Sequence, residues 1–519
     1  MNKEFNLLDE KWIRVLDENG RLAELSLLEV FARAHGLKRL ANETETADMA
    51  ILRLLLAILH AVFSSVDADG NDIALTNENA VAHWKSLWDR AGFPQEALTQ
   101  YLEYFRERFW LFHPETPFYQ TADLVSRKCT EYRTPKLIGD ISQSENKGRL
   151  FSGRTDSARL SYPEAARWLL HVNAFDDTSA KPSVRGAGME STGAGWLGKL
   201  GLLFSEGKNL FQTLLLNFVL LDSDKKPLER GKPVWEAPAR AEERVRIAQP
   251  KSLAELYTLQ SRRLLLTRDN GGVVGYKLLG GDFFEKENAL IEPMTLWRRD
   301  PKTDVFTPKR HNPARQIWRD FEALIASADG GRMPGVVKWN ETLVKEKVLG
   351  GMWLKFSAPS VRYGDKDFFV DDMFSDSVSI NAHLLDELGN EWRIRITDML
   401  KKTDEAVQAF GRFASNLALA EGTDDEKGNI AGIRSAARER AYGELDLPFR
   451  RWLAAIEGDE DMEEISDKWK DEAKAILRRL ANEMLDAVGD AALVGRKGHT
   501  AFTAESYFGA GLNKAFDPS

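Results

Sequence analysis

Apolar residues recur with helical spacing early in the chain and then give way to shorter, broken patterns. Between about residues 45 and 112 the spacing predicts helices, the first of them with one continuous apolar face. That face is formed by Met49, Leu52, Leu55, Leu56 and Leu59. Residues 1–30 are typical of short strands around the turn "DENG", and residues 113–372 are glycine-rich with strand-like runs such as "LGLLF" and "RRLLLT". We therefore predict one large mixed α/β domain over residues 1–372.

Beyond residue 375 the pattern changes to long amphipathic helices. In the segment that starts at Met462, apolar residues are spaced by three and four, and Gly489 is a suitable stop. Similar patterns cover residues 383–422 and 433–458, and a shorter one covers residues 504–516. Four antiparallel helices with short connections form a bundle. The predicted fold class is thus α+β, with a four-helix bundle over residues 375–519.

Length and composition agree with a globular protein of more than one domain. The chain has 519 residues, of which 43% are hydrophobic and 29% charged. The single cysteine, Cys129, excludes an intrachain disulfide and a thiolate metal cluster, which fits a reducing compartment. The apolar stretch 49–63 contains Arg53 and His60 and is too short to cross a bilayer, and no apolar run follows the N-terminal lysine. We expect a cytoplasmic protein without membrane contact.

Charge and motifs restrict the possible functions. A formal net charge of −9 argues against a free-standing, nonspecific DNA binder, so any contact with nucleic acid must be local or assisted by partners. Phosphate-loop, HExxH and GxSxG motifs are absent, and the eight histidines are scattered singly, so no metal or cofactor is expected. "GAGWLG" (Gly193–Gly198) matches GxGxxG but lacks the hydrophobic strand that should precede it. A glycine-rich turn before a strand is favoured over a nucleotide site.

A basic loop is predicted at residues 145–162, "ENKGRLFSGRTDSARLSY". Its cations include Lys147, Arg149 and Arg154, interleaved with glycine and serine around Phe151. The segment has neither a helical period nor a strand alternation. We interpret it as a flexible basic loop with an aromatic tip, and the alternative is a solvated loop with an accidental aromatic residue.

Six short phrases are spread in order over nearly the whole chain: "FNLLDEKWIRV" (5–15), "HPETPFYQT" (113–121), "NLFQTLLLN" (209–217), "KPVWEAP" (232–238), "LGGMW" (349–353) and "ARERAYGEL" (437–445). Together they resemble the large-subunit family, CasA, of the type I-E CRISPR surveillance complex Cascade. The resemblance implies a protein that is not an enzyme, with a large mixed domain followed by a four-helix bundle. It also implies recognition of a protospacer-adjacent motif in duplex DNA, opening of the duplex for guide RNA pairing, and recruitment of the helicase-nuclease.

The implied partners are the crRNA, the target double-stranded DNA, the other Cascade subunits and the recruited helicase-nuclease. Two hypotheses from other classes stay open at this stage. One is a nucleotide-dependent cytoplasmic enzyme that uses "GAGWLG", and the other is a scaffold protein that never contacts DNA.

The resemblance also suggests which residues contact nucleic acid. Phe151 falls at the family's loop-tip phenylalanine, within the basic loop. The family's glycine-rich motif-reading turn corresponds here to "DDTSAKP" (Asp176–Pro182), which has no glycine. Ser179 and Ala180 are small enough to allow close backbone approach, and Lys181 is placed to meet a phosphate.

Two further positions follow from the same resemblance. The family's lysine finger corresponds to Lys286 or Asn288 in "FFEKENALIEP". A gapless match after "LGGMW" puts the family's wedge at Phe356, flanked by Lys355 and Ser357. Phenylalanine is suited to intercalation between base steps, and the alternative is that Phe356 is a buried core residue.

Overall fold

The structure is a computed structural model, and it describes residues 2–90, 92–125, 131–139, 159–182, 189–190, 192–238, 246–325, 331–423, 428–458 and 460–517. The strands within these ranges are β1 (Glu4–Asn6), β2 (Ile13–Asp17), β3 (Leu22–Leu25), β4 (Leu37–Leu40), β5 (Trp110–Phe112), β6 (Glu131–Arg133), β7 (Lys181–Pro182), β8 (Met189–Glu190), β9 (Phe204–Glu206), β10 (Arg262–Asp269), β11 (Gly272–Gly280), β12 (Trp297–Arg299), β13 (Phe306–Pro308), β14 (Trp353–Tyr363) and β15 (Val370–Asn381).

The α-helices of the described ranges alternate with these strands in the first part of the chain and dominate the last part. They are α1 (Leu27–Arg33), α2 (Glu45–Phe63), α3 (Ala80–Trp88), α4 (Gln95–Tyr104), α5 (Tyr162–Phe175), α6 (Leu210–Leu216), α7 (Leu253–Tyr257), α8 (Phe321–Leu324), α9 (Gly335–Lys345), α10 (Gly389–Ala420), α11 (Asn429–Ala454), α12 (Met462–Asp486), α13 (Asp490–Val494) and α14 (Ala501–Phe516). The predicted α+β class is confirmed.

The chain forms two compact units. The first contains Met1–Pro313, Asp329–Val348 and Lys355–Ser377, and the second contains Ala314–Ala328, Leu349–Leu354 and Val378–Ser519. The division predicted from the sequence, with domains over 1–372 and 375–519, did not anticipate that two short earlier segments join the second unit. The hydrophobic periodicity does not change at these short segments, so the sequence pattern does not show which unit they pack against.

The first unit is built around α2. Nearly all of this helix is buried, and it packs against α4, α5, α6 and α7. The helix begins four residues before the apolar stretch 49–63 and is, contrary to the expectation from that stretch, long and apolar enough to cross a membrane; 94% of its apolar window nevertheless lies inside the protein, as in the core helix of a globular fold. Its N-cap is Thr44, whose hydroxyl accepts a hydrogen bond from the Ala47 amide at 3.1 Å.

The described strands pair into several small sheets. The strand orders are β3–β2–β4, β10–β11–β6, β15–β14–β9, β1–β5, β7–β8 and β12–β13. The predicted "DENG" turn joins β2 to β3, with Gly20 at a positive φ of 75° and the Asp17 carboxylate accepting from the Asn19 and Arg21 amides. The hairpin at the start of the chain is therefore confirmed.

The second unit is a helical bundle. Helix α10 packs against α11, α12 and α14, and α12 also contacts α11 and α14. The helix predicted from Met462 is confirmed, and Trp469, Ala473 and Leu480 of its apolar spacing are buried, whereas Ile476 is only partly buried beside the buried Leu477. Inside the bundle the Trp469 indole donates to the Thr403 hydroxyl at 2.9 Å, which links α12 to α10.

One ion pair of the first unit is completely buried. Arg53 on α2 makes two hydrogen bonds to Glu292, at 2.9 and 3.0 Å, and the two side chains are 1% and 0% exposed. The Trp196 indole donates to the same carboxylate at 2.7 Å, and the Arg53 guanidinium lies 4.3 Å from the centre of the Tyr257 ring. Three segments far apart in sequence are thereby fixed on α2.

Arg53→Met is expected to lower the free energy of unfolding by about 3–5 kcal/mol, because it leaves the Glu292 carboxylate buried without its cation. The double variant Arg53→Met, Glu292→Met should recover most of that loss, since neither charge then remains. Urea denaturation of the isolated chain measures both. Lys85→Met, which breaks an exposed pair with Asp89, is the control and should cost less than about 1 kcal/mol. A double variant as unstable as the single one would contradict the explanation.

Candidate nucleic-acid interface

Only the end of the predicted basic loop is described: Arg159 pairs with Asp269, and Tyr162 begins α5. Lys147, Arg149, Phe151 and Arg154 lie outside the described residues. Their contact with nucleic acid stays a prediction.

The segment 176–181 forms a turn that is held in place by hydrogen bonds of its polar groups. The Asp177 carboxylate accepts from the Ser179 amide at 2.9 Å and from the Ser179 hydroxyl. The Thr178 amide and hydroxyl both donate to backbone carbonyls of residues 366–367, each at 2.9 Å. Ala180 is exposed at the tip. The turn is thus held by its own hydrogen bonds with Ala180 exposed and Ser179 partly exposed, and their approach to DNA stays a prediction.

Lys181 does not occupy the predicted position. Its side chain is 0% exposed, and its ammonium lies 2.8 Å from Asp177 Oδ1 and 3.1 Å from Asp176 Oδ2. It also donates to the Ser179 carbonyl at 3.0 Å. The prediction that Lys181 meets a phosphate is wrong for this conformation, because the two carboxylates preceding the turn have already neutralised and enclosed the ammonium.

Arg262 completes this cluster from the start of β10. Its Nε donates to the Asp176 carboxylate, and its Nη2 donates to the carbonyls of Asp177 at 2.9 Å and Gly193 at 2.7 Å. Burial acts to raise the pKa of Asp176, but the charges and hydrogen bonds of Arg262 and Lys181 outweigh it and hold the pKa below its usual value. Asp176 is therefore an ionised structural anchor of the turn.

The segment that carries Lys286 and Asn288 is anchored in the same way. The Arg263 guanidinium donates to the Asp282 carboxylate at 2.5 Å, and both side chains are buried. Asn288 has a positive φ of 52° and makes reciprocal hydrogen bonds with the Phe306 backbone, at 2.8 and 2.9 Å. Asn288 is thus a brace for the loop, whereas Lys286 is exposed and has no ion-pair partner among the residues described. Of the two candidates for the lysine finger, Lys286 is the one with a cationic side chain exposed to solvent.

Consecutive arginines on β10 thus hold both candidate segments. Successive side chains of a strand point to opposite faces, so Arg262 reaches the turn at 176–181 and Arg263 reaches the start of the loop at 282. Sequence reasoning missed this pair. Its signal was present in "SRRLLLT", where two arginines stand directly before an apolar strand and must be paired if the strand is buried.

The predicted wedge lies on β14, and the alternation of that strand decides its orientation. Phe356 is 0% exposed and opposes Ser205 of β9 in the sheet. The prediction that Phe356 intercalates is wrong for this conformation, because an intercalating ring must be accessible, and the core alternative is the one observed. The adjacent Lys355 and Ser357 both bond to Glu206, the former at 2.9 Å.

An exposed aromatic residue does lie on this strand, at its first position. Trp353 is 43% exposed. Because side chains alternate along a strand, it points to the same face of the sheet as Lys355, two residues later. It is the last residue of the phrase "LGGMW", and the preceding Gly351 has a positive φ of 69° that allows the turn into the strand. The sequence contained this residue in a motif that had already been singled out.

The "GAGWLG" segment is a packing turn. A Cβ on Gly195 would lie 2.3 Å from the Ala174 carbonyl, and one on Gly198 would lie 1.9 Å from the Tyr363 hydroxyl. The 3₁₀ turn Leu197–Lys199 and then β9 follow, and the only strand described shortly before the segment is the two-residue β8, which is too short for the strand of a dinucleotide-binding fold. The predicted glycine-rich turn before a strand is confirmed. Within the described ranges, no group of three or more His, Cys, Asp or Glu residues could hold a metal ion.

Comparisons with known proteins agree over nearly the whole chain. The family model of the CRISPR-associated protein Cse1 matches residues 6–484. The chain is 28% identical, over 487 residues and 90% of each sequence, to the CRISPR-associated protein CasA/Cse1 of Thermus thermophilus.

Solved structures show the same similarity. The crystal structure of Thermobifida fusca Cse1 is 33% identical with a TM-score of 0.86, covering 99% of this chain and 98% of that one. Cse1 from Acidimicrobium ferrooxidans is 25% identical with a TM-score of 0.82 and full coverage of both chains. A chain of a structure described as a CRISPR RNA-guided surveillance complex shares the fold, with a TM-score of 0.68 at 18% identity over 93% of this chain and all of that one. The family resemblance found in the sequence is confirmed.

Lys181→Met is expected to lower the unfolding free energy of the isolated chain by about 1–3 kcal/mol, because it removes a buried donor from two carboxylates. Lys286→Met, which removes an exposed ammonium, is the matched control and should change stability by less than about 0.5 kcal/mol. Chemical denaturation measures both. Unchanged stability in Lys181→Met would restore a free, phosphate-binding role for this lysine.

The stability that Asp176 contributes should depend on pH. Because the folded-state pKa is lowered, the contribution is complete above the unfolded-state pKa of about 3.9 and is lost as the pH falls through the folded-state value. Asp176→Asn should therefore be less stable than the wild type at pH 7, and the difference should shrink below about pH 4. Urea midpoints of both proteins over pH 3–7 test this, and a constant difference would contradict it.

Proposed function

Because the chain belongs to the Cse1 family of CRISPR-associated proteins, we propose that it is the large subunit of an RNA-guided surveillance complex. In that complex it recognises a short protospacer-adjacent motif in target duplex DNA, helps to open the duplex for guide RNA pairing, and recruits the helicase-nuclease. Its partners are the crRNA and the other Cascade subunits. Base pairing reads the sequence, and the protein reads the motif and the backbone.

The observation that carries this proposal is the anchoring of two exposed segments by one strand. Arg262 and Arg263 fix the turn at 176–181 and the loop that carries Lys286, each through a buried carboxylate. A segment held in place before binding loses little conformational entropy when it docks. Ala180 at the tip of the turn allows close approach to a groove, and the free ammonium of Lys286 is available to a phosphate.

The opening step is assigned to Trp353. Its indole is the exposed aromatic surface at the start of β14, whereas Phe356 is enclosed by the sheet. A large aromatic ring compensates for the unstacking of a base step by covering the exposed base pair. Lys355 and Ser357 hold the strand through Glu206 and have a supporting role.

The test uses the assembled complex, since a net charge of −9 opposes DNA binding by the isolated chain. Trp353→Ala should slow guide–target pairing on closed duplex by roughly ten- to a hundredfold, because unstacking one step costs a few kcal/mol. The same target with a bubble next to the motif should pair at nearly the wild-type rate. A quenched fluorophore pair across the first positions of the target reports pairing.

Two controls separate the roles. Trp353→Phe keeps an aromatic ring and should retain most of the rate on duplex. Lys286→Ala should weaken motif-dependent binding on duplex and bubble alike, because it acts before opening. Equal loss on both substrates with Trp353→Ala would refute the opening role. A complex that binds DNA equally with and without the motif would favour the scaffold hypothesis.

A further inference from the structure

A cavity of about 300 Å³ lies in the first unit, beside the part of β14 that begins at Lys355. It is formed by β4, the first turns of α2, and the turn that joins β9 to α6. Its lining combines apolar side chains with the charged residues Lys38, Arg39, Glu45, Asp48 and Lys208. The motif contacts proposed above do not use this space.

The floor of the cavity is apolar. Leu40, Met49, Leu52 and Leu210 are buried side chains that line it, and Phe204 is partly exposed beside them. Aliphatic side chains and an aromatic ring form a surface on which the flat face of a nucleobase can pack.

Hydrogen-bond acceptors stand at one side of this floor. Both bonds from Asn42 to Asp48, at 2.7 Å from the amide and 2.6 Å from the side chain, go to Oδ1. Among the described residues, no bond to Oδ2 accompanies them, so this oxygen can accept from another donor. Glu45, one turn earlier on α2, is exposed. Carboxylate oxygens of this kind accept hydrogen bonds from the amino groups of a base.

The rim carries positive charge. Lys38 and Arg39 are both exposed on β4, and Lys208 is exposed on the turn after β9. Lys38 and Lys208 have no ion-pair partner in the described part of the chain. Ammonium and guanidinium groups at the mouth of an apolar pocket suit a phosphate, because the anion stays at the solvated rim while the base enters.

We infer that this pocket binds one unpaired nucleotide, with its base on the apolar floor and its phosphate at the rim. A volume of 300 Å³ is at the lower end of the range for small-molecule sites, about 300–1,000 Å³, so it accepts a single nucleotide and excludes a base pair. The inference rests on the proposed function, which supplies two sources of such a nucleotide: the opened target DNA and the guide RNA. A base that is already unpaired pays little to enter a pocket.

The two sources are distinguished by photocrosslinking in the assembled complex. In one arm, 4-thiothymidine replaces target-strand and displaced-strand bases next to the motif. In the other arm, 4-thiouridine replaces bases near the 5′ end of the guide. After irradiation, mass spectrometry of the digested protein locates the adduct. An adduct on a lining residue supports the pocket from either arm and identifies the source. Adducts confined to other surfaces in both arms would overturn the inference.

A charge-reversal pair tests the rim. Lys38→Glu, Lys208→Glu should lower the yield of the pocket adduct by roughly five- to tenfold, because two attractive contacts with a phosphate become repulsive. Lys11→Glu, Lys226→Glu makes the same change in net charge at exposed positions outside the lining and should leave the yield unchanged. Equal loss in both double variants would show a general charge effect and refute the rim contact.

Failure of the pocket and failure of the proposed function give different results. If motif-dependent DNA binding persists while no adduct forms in the pocket, the inference alone is overturned. If the complex ignores the motif, the proposed function fails, and the guide RNA arm still decides whether the pocket holds a nucleotide.

Discussion

The arrangement of the first unit depends on the ion pair between Arg53 and Glu292. Both groups are removed from water, so each charge is tolerated only because the other is in contact with it. The pair fixes the register of α2 against the segment after residue 285, and the Trp196 indole ties the glycine-rich turn to the same carboxylate. A core helix of apolar residues can pack in several rotations, whereas one that carries a buried guanidinium has only one partner to meet.

Other buried cations of the first unit follow the same rule. Arg167 reaches Glu43, and Arg262 and Arg263 reach carboxylates at the bases of two surface segments. These charges are used for internal order and are not available to DNA. In the function proposed here, DNA contact therefore falls to exposed cations such as Lys286 and to basic partners in the complex, because the net charge of −9 opposes binding by the chain as a whole.

Sequence reasoning succeeded where the signal is local. The helical state of α2 and the buried face of α12 follow from spacings of three and four, because a helix repeats every about 3.6 residues; that α2 is buried on all sides was not visible in this spacing. The "GAGWLG" turn was also predicted correctly, since its flanking residues did not fit a nucleotide site. Periodicity alone suggested a mixed domain followed by a helical one. The family resemblance agreed with this order and connected it to a family.

It failed where the answer depends on a partner in another part of the chain. A gapless match identified β14, but the face on which Phe356 lies is set by its pairing with Ser205, and a shift of one residue exchanges inside and outside. Lys181 appeared free because the sequence does not show that Asp176 and Asp177 fold back over it. Both errors concern the direction of a side chain and leave the segment itself correct. A match to a distant relative therefore identifies a segment more safely than it assigns a role to one side chain. Only the fold shows that Trp353 is exposed on β14 while Phe356 is buried.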